Sequence, residues 1–278
     1  MKTINGLSEI IDHYSAFLVD QFGVLHDGQR PYPMAAFCLR AMRDAGREVL
    51  VLSNSGRRAG HNIDRLQRLG FAADLISGVV TSGEVAWRVL AARPDAHSPS
   101  GNRCLLITEH ADQSFADGLG LSLVSDPAEA DFVLVVGVDT PDDTLEPYDS
   151  ILVAALDRKL PMLCTNSDLI RLTPTGLRPA PGALAQSYAA RGGEVTWYGK
   201  PLPAIFEHSL AQLSGIDRSR VAMIGDSLKH DIAGARAAGI ASIYIQDGIG
   251  AGWTTARLEA EIEEAGARPD YVLGTLRW

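Results

Sequence analysis

Asp20 stands at the end of the apolar run Ala16-Phe17-Leu18-Val19, and Gly23 follows three residues later. A buried parallel strand that ends in a tight turn has this pattern, and open α/β sheets put their ligand sites at such ends. Asp20 is therefore placed to serve as a nucleophile or a metal ligand, although an Asp here can also simply cap the turn. Three later stretches bear on the choice. Ser53 and Asn54 follow the apolar run Glu48-Val49-Leu50-Val51-Leu52; Lys200 follows a short strand expected at 194–198; Asp226 follows Arg220-Val221-Ala222-Met223-Ile224, with Asp231 five residues on. The cluster Ser53 to Arg57 could also cap the next helix. As a set, these groups suit phosphoryl transfer. One carboxylate attacks phosphorus, carboxylates hold Mg²⁺ against the phosphate oxygens, and a hydroxyl and an ammonium neutralise the remaining charge.

The elements that must position these groups alternate between strands and helices. The spacing predicts a short helix over 7–13, a helix over 33–45 ending at Gly46, and helices over 61–69 and 76–92. From Pro94 the pattern restarts, with strands expected over 103–108, 131–136 and 161–164 and a helix over 148–158. The Pro/Ser/Gly-rich link Pro94 to Gly101 suggests a boundary. Helices over 203–213, 232–238 and 253–265 and strands over 241–245 and 271–273 complete the chain. The expected fold class is α/β: a doubly wound parallel-sheet core from residues 1–90 and 188–278, with a second α/β unit, 91–187, inserted between.

Composition narrows the partners. The formal net charge of −9 over 278 residues gives no basic footprint, so nucleic acid is not an expected partner. No stretch reaches the ~18 apolar residues of a membrane span, and Met1 to Asp12 has no signal-peptide pattern, so a cytoplasmic protein is expected. Cys38, Cys104 and Cys164 are scattered and odd in number, which reads as buried free thiols rather than a disulfide framework. Nothing in the sequence sets an oligomeric state.

The motifs Val19-Asp20-Gln21-Phe22-Gly23-Val24-Leu25, Leu52-Ser53-Asn54-Ser55, Thr165-Asn166-Ser167-Asp168, Pro181-Gly182-Ala183-Leu184, Tyr198-Gly199-Lys200-Pro201 and Ile224-Gly225-Asp226-Ser227-Leu228-Lys229-His230-Asp231-Ile232 span nearly the whole chain. In this order they resemble the haloacid dehalogenase (HAD) superfamily, within it the class IIA branch that includes NagD-like sugar and nucleotide phosphatases. The resemblance implies that Asp20 forms an aspartyl-phosphate, that Ser53 is the phosphate-binding hydroxyl and that Lys200 is the lysine of the third motif. It implies Mg²⁺ held by Asp20, the Phe22 carbonyl and Asp226, with Asp231 as a further ligand or outer support. The inserted unit would be the family's cap. Asn54, Ser55, Thr165 and Asn166 are then expected to meet the substrate, a small phosphorylated metabolite.

One position departs from the family pattern. The family carries a second Asp two residues after the nucleophile, and this chain has Phe22 there. The Phe22 carbonyl can still bind a metal, but the side chain cannot protonate a leaving oxygen or activate water. General acid–base catalysis supplies ~10²–10⁴-fold in rate, so hydrolysis is expected to be slow on poor leaving groups unless another acid, such as His26 or Asp27, takes over. Two alternatives accompany the phosphohydrolase reading: a hydrolase of another bond type, carbon–halogen, and a catalytically impaired phosphate-binding protein.

Overall fold

The computed structural model describes residues 1–92, 101–140, 144–173, 176–213 and 215–278. The link expected to mark a boundary, Pro94 to Gly101, lies outside the described residues except for Gly101. A seven-stranded sheet forms the larger unit, and every pairing in it is parallel. From the centre the chain builds outward on one side through Ala16–Val19, Glu48–Ser53 and Gly78–Thr81. It returns to the centre with Val221–Gly225 and builds outward on the other side through Ala241–Ile245, Tyr271–Leu273 and Lys2–Thr3. The strand order therefore reverses between Ala16–Val19 and Val221–Gly225, where Val19 lies opposite Ile224. A reversal of this kind opens a crevice at the carboxyl ends of the two strands.

Both faces of this sheet are covered, as uninterrupted apolar runs require. Phe17, Val19, Val49, Val51 and Ile224 turn to one side, where Leu39 and Met42 of the helix Ala35–Asp44 meet them. Leu18, Leu50, Leu52 and Met223 turn to the other, against Ile205 and Phe206 of the helix Pro203–Gln212. The period of two along each strand divides its residues between these two layers.

A second, five-stranded parallel sheet runs in the order Val195–Trp197, Met162–Cys164, Phe132–Val135, Arg103–Ile107, Ser122–Val124. One face packs on Leu184, Ala185 and Tyr188 of the helix Pro181–Ala190, and the other on Ala86 and Leu90 of the helix Ser82–Ala91. Three expectations need correction here. Val195–Trp197 pairs with Met162–Cys164, so the smaller sheet runs on to Trp197 instead of stopping before residue 188. Three half-buried residues carry too little pattern to select one sheet over another. The stretch 76–92 is also not one helix: Gly78–Thr81 is a strand, and the Thr81 hydroxyl caps the helix that follows by accepting from the Glu84 amide at 3.0 Å. The lead-in at 7–13 is two short 3₁₀ turns, Leu7–Glu9 and Ile11–His13. An antiparallel hairpin, Ile170–Thr173 with Gly176–Pro179, was not anticipated. Cys38, Cys104 and Cys164 are free and buried. Among the described residues, no helix is long and apolar enough to cross a membrane.

Candidate active site

The reversal of strand order brings two carboxylates together. Asp20 leaves one central strand and Asp226 its neighbour, and the Asp20 amide donates to the Ile224 carbonyl at 2.8 Å. Past Asp226 a wide helical turn of π geometry, Leu228–Ile232, carries Asp231 back beneath the strand end. Asp20, Asp226 and Asp231 can place one oxygen each within 4.8 Å of one another. Lys200 enters from the loop before Pro203–Gln212. Its Nζ donates to Asp20 Oδ1 and Asp231 Oδ1, both at 2.7 Å, and to the Leu52 carbonyl at 3.2 Å. The Lys200 side chain is only 2 % exposed.

The Asp226 carboxylate is closely packed. A Cβ on Gly23, whose φ is +82°, would lie 1.9 Å from Asp226 Oδ2, and one on Gly248 would lie 2.0 Å from the same oxygen. Neither position has room for a side chain, and Gly23 also adopts a backbone angle that other residues resist. The Ile249 amide donates to Asp226 Oδ2 at 2.8 Å. Asp231 is held at both ends, with Oδ1 accepting from Lys200 and Oδ2 from the Ser227 amide at 3.0 Å.

Fully ionised, three carboxylates and one ammonium would carry an excess of two negative charges in a buried place. Burial accordingly pushes the Asp20 carboxyl up to about 7 even though Lys200 pulls it down, and burial with Asp20 nearby lifts Asp226 well above the carboxylate range. Burial alone would depress Lys200; Asp20 and Asp231 outweigh it and hold the ammonium charged. Removing one partner of such a buried set costs about 3–5 kcal/mol. Lys200→Met should therefore lower the midpoint of thermal unfolding by roughly 5–15 °C. A melting temperature unchanged within two degrees would show that the ammonium does not hold the carboxylates together.

These groups form the floor of a cleft of about 360 Å³ between the two units. Ser53, Asn54 and Ser55 line it, and Ser53 Oγ accepts from the Ser55 amide at 3.2 Å. Asn54 spans the two units. Its Oδ1 accepts from the Lys200 amide at 2.6 Å, and its Nδ2 donates to Asp168 Oδ1 at 2.7 Å, Ser167 Oγ at 3.1 Å and the Lys200 carbonyl at 3.3 Å. Asn166 lines the cleft and uses its Oδ1 to accept from the Asp168 amide at 2.9 Å. Thr165 is not placed as expected. It is fully buried outside the cleft lining, and its hydroxyl is spent on the Gly56 and Val135 carbonyls at 3.3 and 3.2 Å. Its position joins the two units rather than facing a ligand.

The Phe22 side chain reaches the cleft wall half-buried. Its ring stands edge-on to His26, with centroids 4.6 Å apart. His26 is unsuited to act as the missing acid. The ring is fully buried, Nδ1 accepts from the Gly28 amide at 2.9 Å, and Nε2 lies 3.0 Å from the Gln21 side-chain amide. Burial and the Arg65 charge push its pKa down to about 4, so it is neutral near pH 7. Asp27 is a turn residue: its Oδ1 accepts from the Gln29 and Arg30 amides at 2.8 and 2.7 Å, and these bonds outweigh desolvation and keep it ionised. Sequence reasoning passed over His230, Arg65 and Arg171, all in the cleft wall. His230 Nδ1 lies 3.1 Å from Asp168 Oδ1 across the two units. Arg58, His61, Arg65 and Arg68 recur at helical spacing, a basic stripe that could have been noticed.

Residues 17–122 match a family model described as haloacid dehalogenase-like hydrolase, and residues 197–278 match a second, described as HAD-hydrolase-like. The matched segments contain Asp20, Ser53, Lys200, Asp226 and Asp231. The chain belongs to the haloacid dehalogenase-like hydrolases. Within the HAD superfamily it falls in the class IIA, NagD-like branch. A D-glycerol 3-phosphate phosphatase of Mycobacterium tuberculosis is 28 % identical over 275 residues, covering 98 % of this chain and 72 % of that protein. A haloacid dehalogenase-like hydrolase from Brucella suis 1330 superposes with a TM-score of 0.86 at 28 % identity, covering 98 % of this chain and 99 % of that one. A glycerol phosphate phosphatase from Mycobacterium tuberculosis, solved in complex with magnesium, gives a TM-score of 0.71 at 26 % identity, covering 96 % of this HAD chain and 77 % of that chain.

Proposed function

We propose that this chain is a Mg²⁺-dependent phosphohydrolase of small phosphorylated metabolites, working through a phosphorylated Asp20. The observation that carries the reading is the buried set Asp20, Asp226, Asp231 and Lys200 at the reversal point of the sheet, which would carry an excess of two negative charges when fully ionised. That excess is what a divalent cation would neutralise, and hard oxygen donors are what Mg²⁺ prefers. Asp20, Asp226 and the Phe22 carbonyl are the groups to hold it, while Asp231, both of whose oxygens already accept bonds, supports them through Lys200. When bound, the ion supplies charge neutralisation at the phosphoryl oxygens. The magnesium complex of the related glycerol phosphate phosphatase supports the same choice.

The protein's own groups account for the first half of the reaction. Lys200 occupies Asp20 Oδ1, leaving Oδ2 to attack phosphorus. The new bond is Oδ2–P, the bond from phosphorus to the leaving oxygen breaks, and the leaving oxygen departs with the electron pair. Ser53 and the cationic Lys200 balance charge on the phosphoryl group as it transfers. In the second half, water attacks the acyl phosphate, releases inorganic phosphate and restores Asp20. Neither half draws a proton from Phe22. The reading therefore favours substrates whose leaving group is already a weak base: aryl phosphates, acyl phosphates and anhydrides. Carbon–halogen hydrolysis would leave the Asp226 and Asp231 carboxylates without a use.

The test pairs a screen of phosphorylated metabolites, followed by phosphate release with Mg²⁺, with calorimetry of Mg²⁺ on the wild type and Asp226→Asn. Mg²⁺ affinity should fall by about 10-fold or more in the variant, at least the ~10–100-fold that loss of an outer-shell partner costs a metal site. Equal Mg²⁺ binding by the two proteins, or no phosphate release from any compound, would overturn the reading.

A further inference from the structure

The cleft is acidic at its floor and basic on its wall. Arg57, Arg65 and Arg171 all line it beside Glu109; the other acidic wall residues are engaged elsewhere, Asp27 by the Gln29 and Arg30 amides and Asp168 by Asn54 and His230. Two of the three guanidinium groups are matched. Arg57 lies 3.5 Å from Glu109 and 3.1 Å from Asp112, and Arg171 is bonded to Glu109 as well. Glu109 thus serves two cations. Arg65 has no carboxylate within ion-pair distance among the described residues; its guanidinium stands 5.4 Å from the centroid of the Phe22 ring. Its helix, Ala59–Arg68, is packed on the larger unit through Leu66, which fixes where the side chain starts. Burial and the Arg57 charge both oppose the Arg65 cation; the one carboxylate that favours it, Glu109, acts from beyond ion-pair distance and is already shared by Arg57 and Arg171. A cation in a ligand cleft that lacks its own counter-ion is a receptor for an anion supplied by the ligand.

We propose that the preferred substrate carries a second anionic group, a carboxylate or a second phosphate, and that Arg65 binds it. The inference rests on the phosphohydrolase reading and adds the substrate class. The planar fork of Arg suits either anion bidentately, and the Phe22 ring beneath it supplies a face on which the guanidinium stays while its N–H edges point to the ligand. The scissile phosphate lies over the acidic floor with the metal, and the second anion lies along the wall toward Arg65. The substrate is then short, because Phe22 is only two residues from Asp20 in the same turn.

The test measures binding to the Mg²⁺-loaded protein by calorimetry for three probes: 3-phosphoglycerate, glycerol 3-phosphate and propane-1,3-diol bisphosphate. The first two share a three-carbon frame and differ in carboxylate against hydroxymethyl. The wild type should bind at least one of the two doubly anionic probes roughly 10- to 100-fold more tightly than glycerol 3-phosphate, the range expected of charge-assisted hydrogen bonds. In Arg65→Met that ratio should fall to within about threefold of unity, and in Arg65→Lys, which keeps the charge but loses the fork, to an intermediate value. Which probe is preferred tells carboxylate from phosphate. Equal affinity for all three probes in the wild type, or a ratio untouched by Arg65→Met, would overturn the proposal and leave the phosphohydrolase reading standing. If no probe binds while Mg²⁺ does, the proposal falls, and the phosphohydrolase reading falls with it only if the phosphate-release screen is also blank.

Discussion

Asp20→Asn should lower Mg²⁺-dependent phosphate release by on the order of 10⁴-fold or more, with no phosphorylated protein detectable by mass spectrometry. The change is small in every respect but one. The carboxamide keeps the size of the carboxylate, and its oxygen can still accept from Lys200, which also retains Asp231 and the Leu52 carbonyl. Folding should therefore survive, and a circular dichroism melt gives the control. What is lost is an oxygen with the electron density to attack phosphorus. A variant that kept more than a tenth of the wild-type rate would mean that water, not Asp20, reaches phosphorus first.

Phe22→Asp should raise turnover of an alkyl phosphate by about 10- to 100-fold and that of an aryl phosphate by less than threefold. The contrast follows from leaving-group basicity: an alkoxide needs a proton as it departs, and a nitrophenolate does not. The alkyl gain is set below the ~10⁴-fold upper limit of acid–base catalysis because Arg65 already stands over this position. A cation that close holds a new carboxylate ionised, which weakens it as an acid while leaving it able to serve as a base in the second half-reaction. The Phe22 side chain is half-buried, so its removal opens no deep cavity. Equal gains on both substrates would refute the leaving-group argument. Rapid turnover of an alkyl phosphate by the wild type would show that another residue provides the proton, with His230 the imidazole that lines the cleft.

The core of this site was legible because parallel strands buried on both faces leave a plain record. Ala16–Val19 and Val221–Gly225 are unbroken apolar runs, and the first carboxylate after each marks a strand end at the crevice. Lys200 was found by its place in a motif, and its burial against two carboxylates could not be read from a Gly-Lys-Pro sequence. The strand Gly78–Thr81 was absorbed into a helix because its apolar residues run on into Ser82–Ala91, and only pairing with Glu48–Ser53 separates them. Val195–Trp197 was assigned to the wrong sheet for a related reason: a strand of three residues names no partner. Thr165 illustrates the limit for side chains. It sits in a polar cluster at a strand end like Ser53, yet two carbonyls from different units take its hydroxyl. The standing of Arg65 depends on which of three arginines Glu109 and Asp112 satisfy, a matter of tertiary contact alone.

Asn54 has a kinetic meaning. Its one side-chain amide is shared by Lys200 on the larger unit and by Ser167 and Asp168 on the smaller. Carrying the 167–168 segment away would strip partners from a group that is only 2 % exposed, at a cost of about 1–3 kcal/mol unless water replaces them. That cost corresponds to a bias of roughly 5- to 150-fold toward the shut cleft. Asn54 thus works as a weak return spring. Were ligand to enter or phosphate to leave by parting the two units at the 167–168 segment, each passage would stretch it, and its strength would then set a share of the waiting time between successive turnovers.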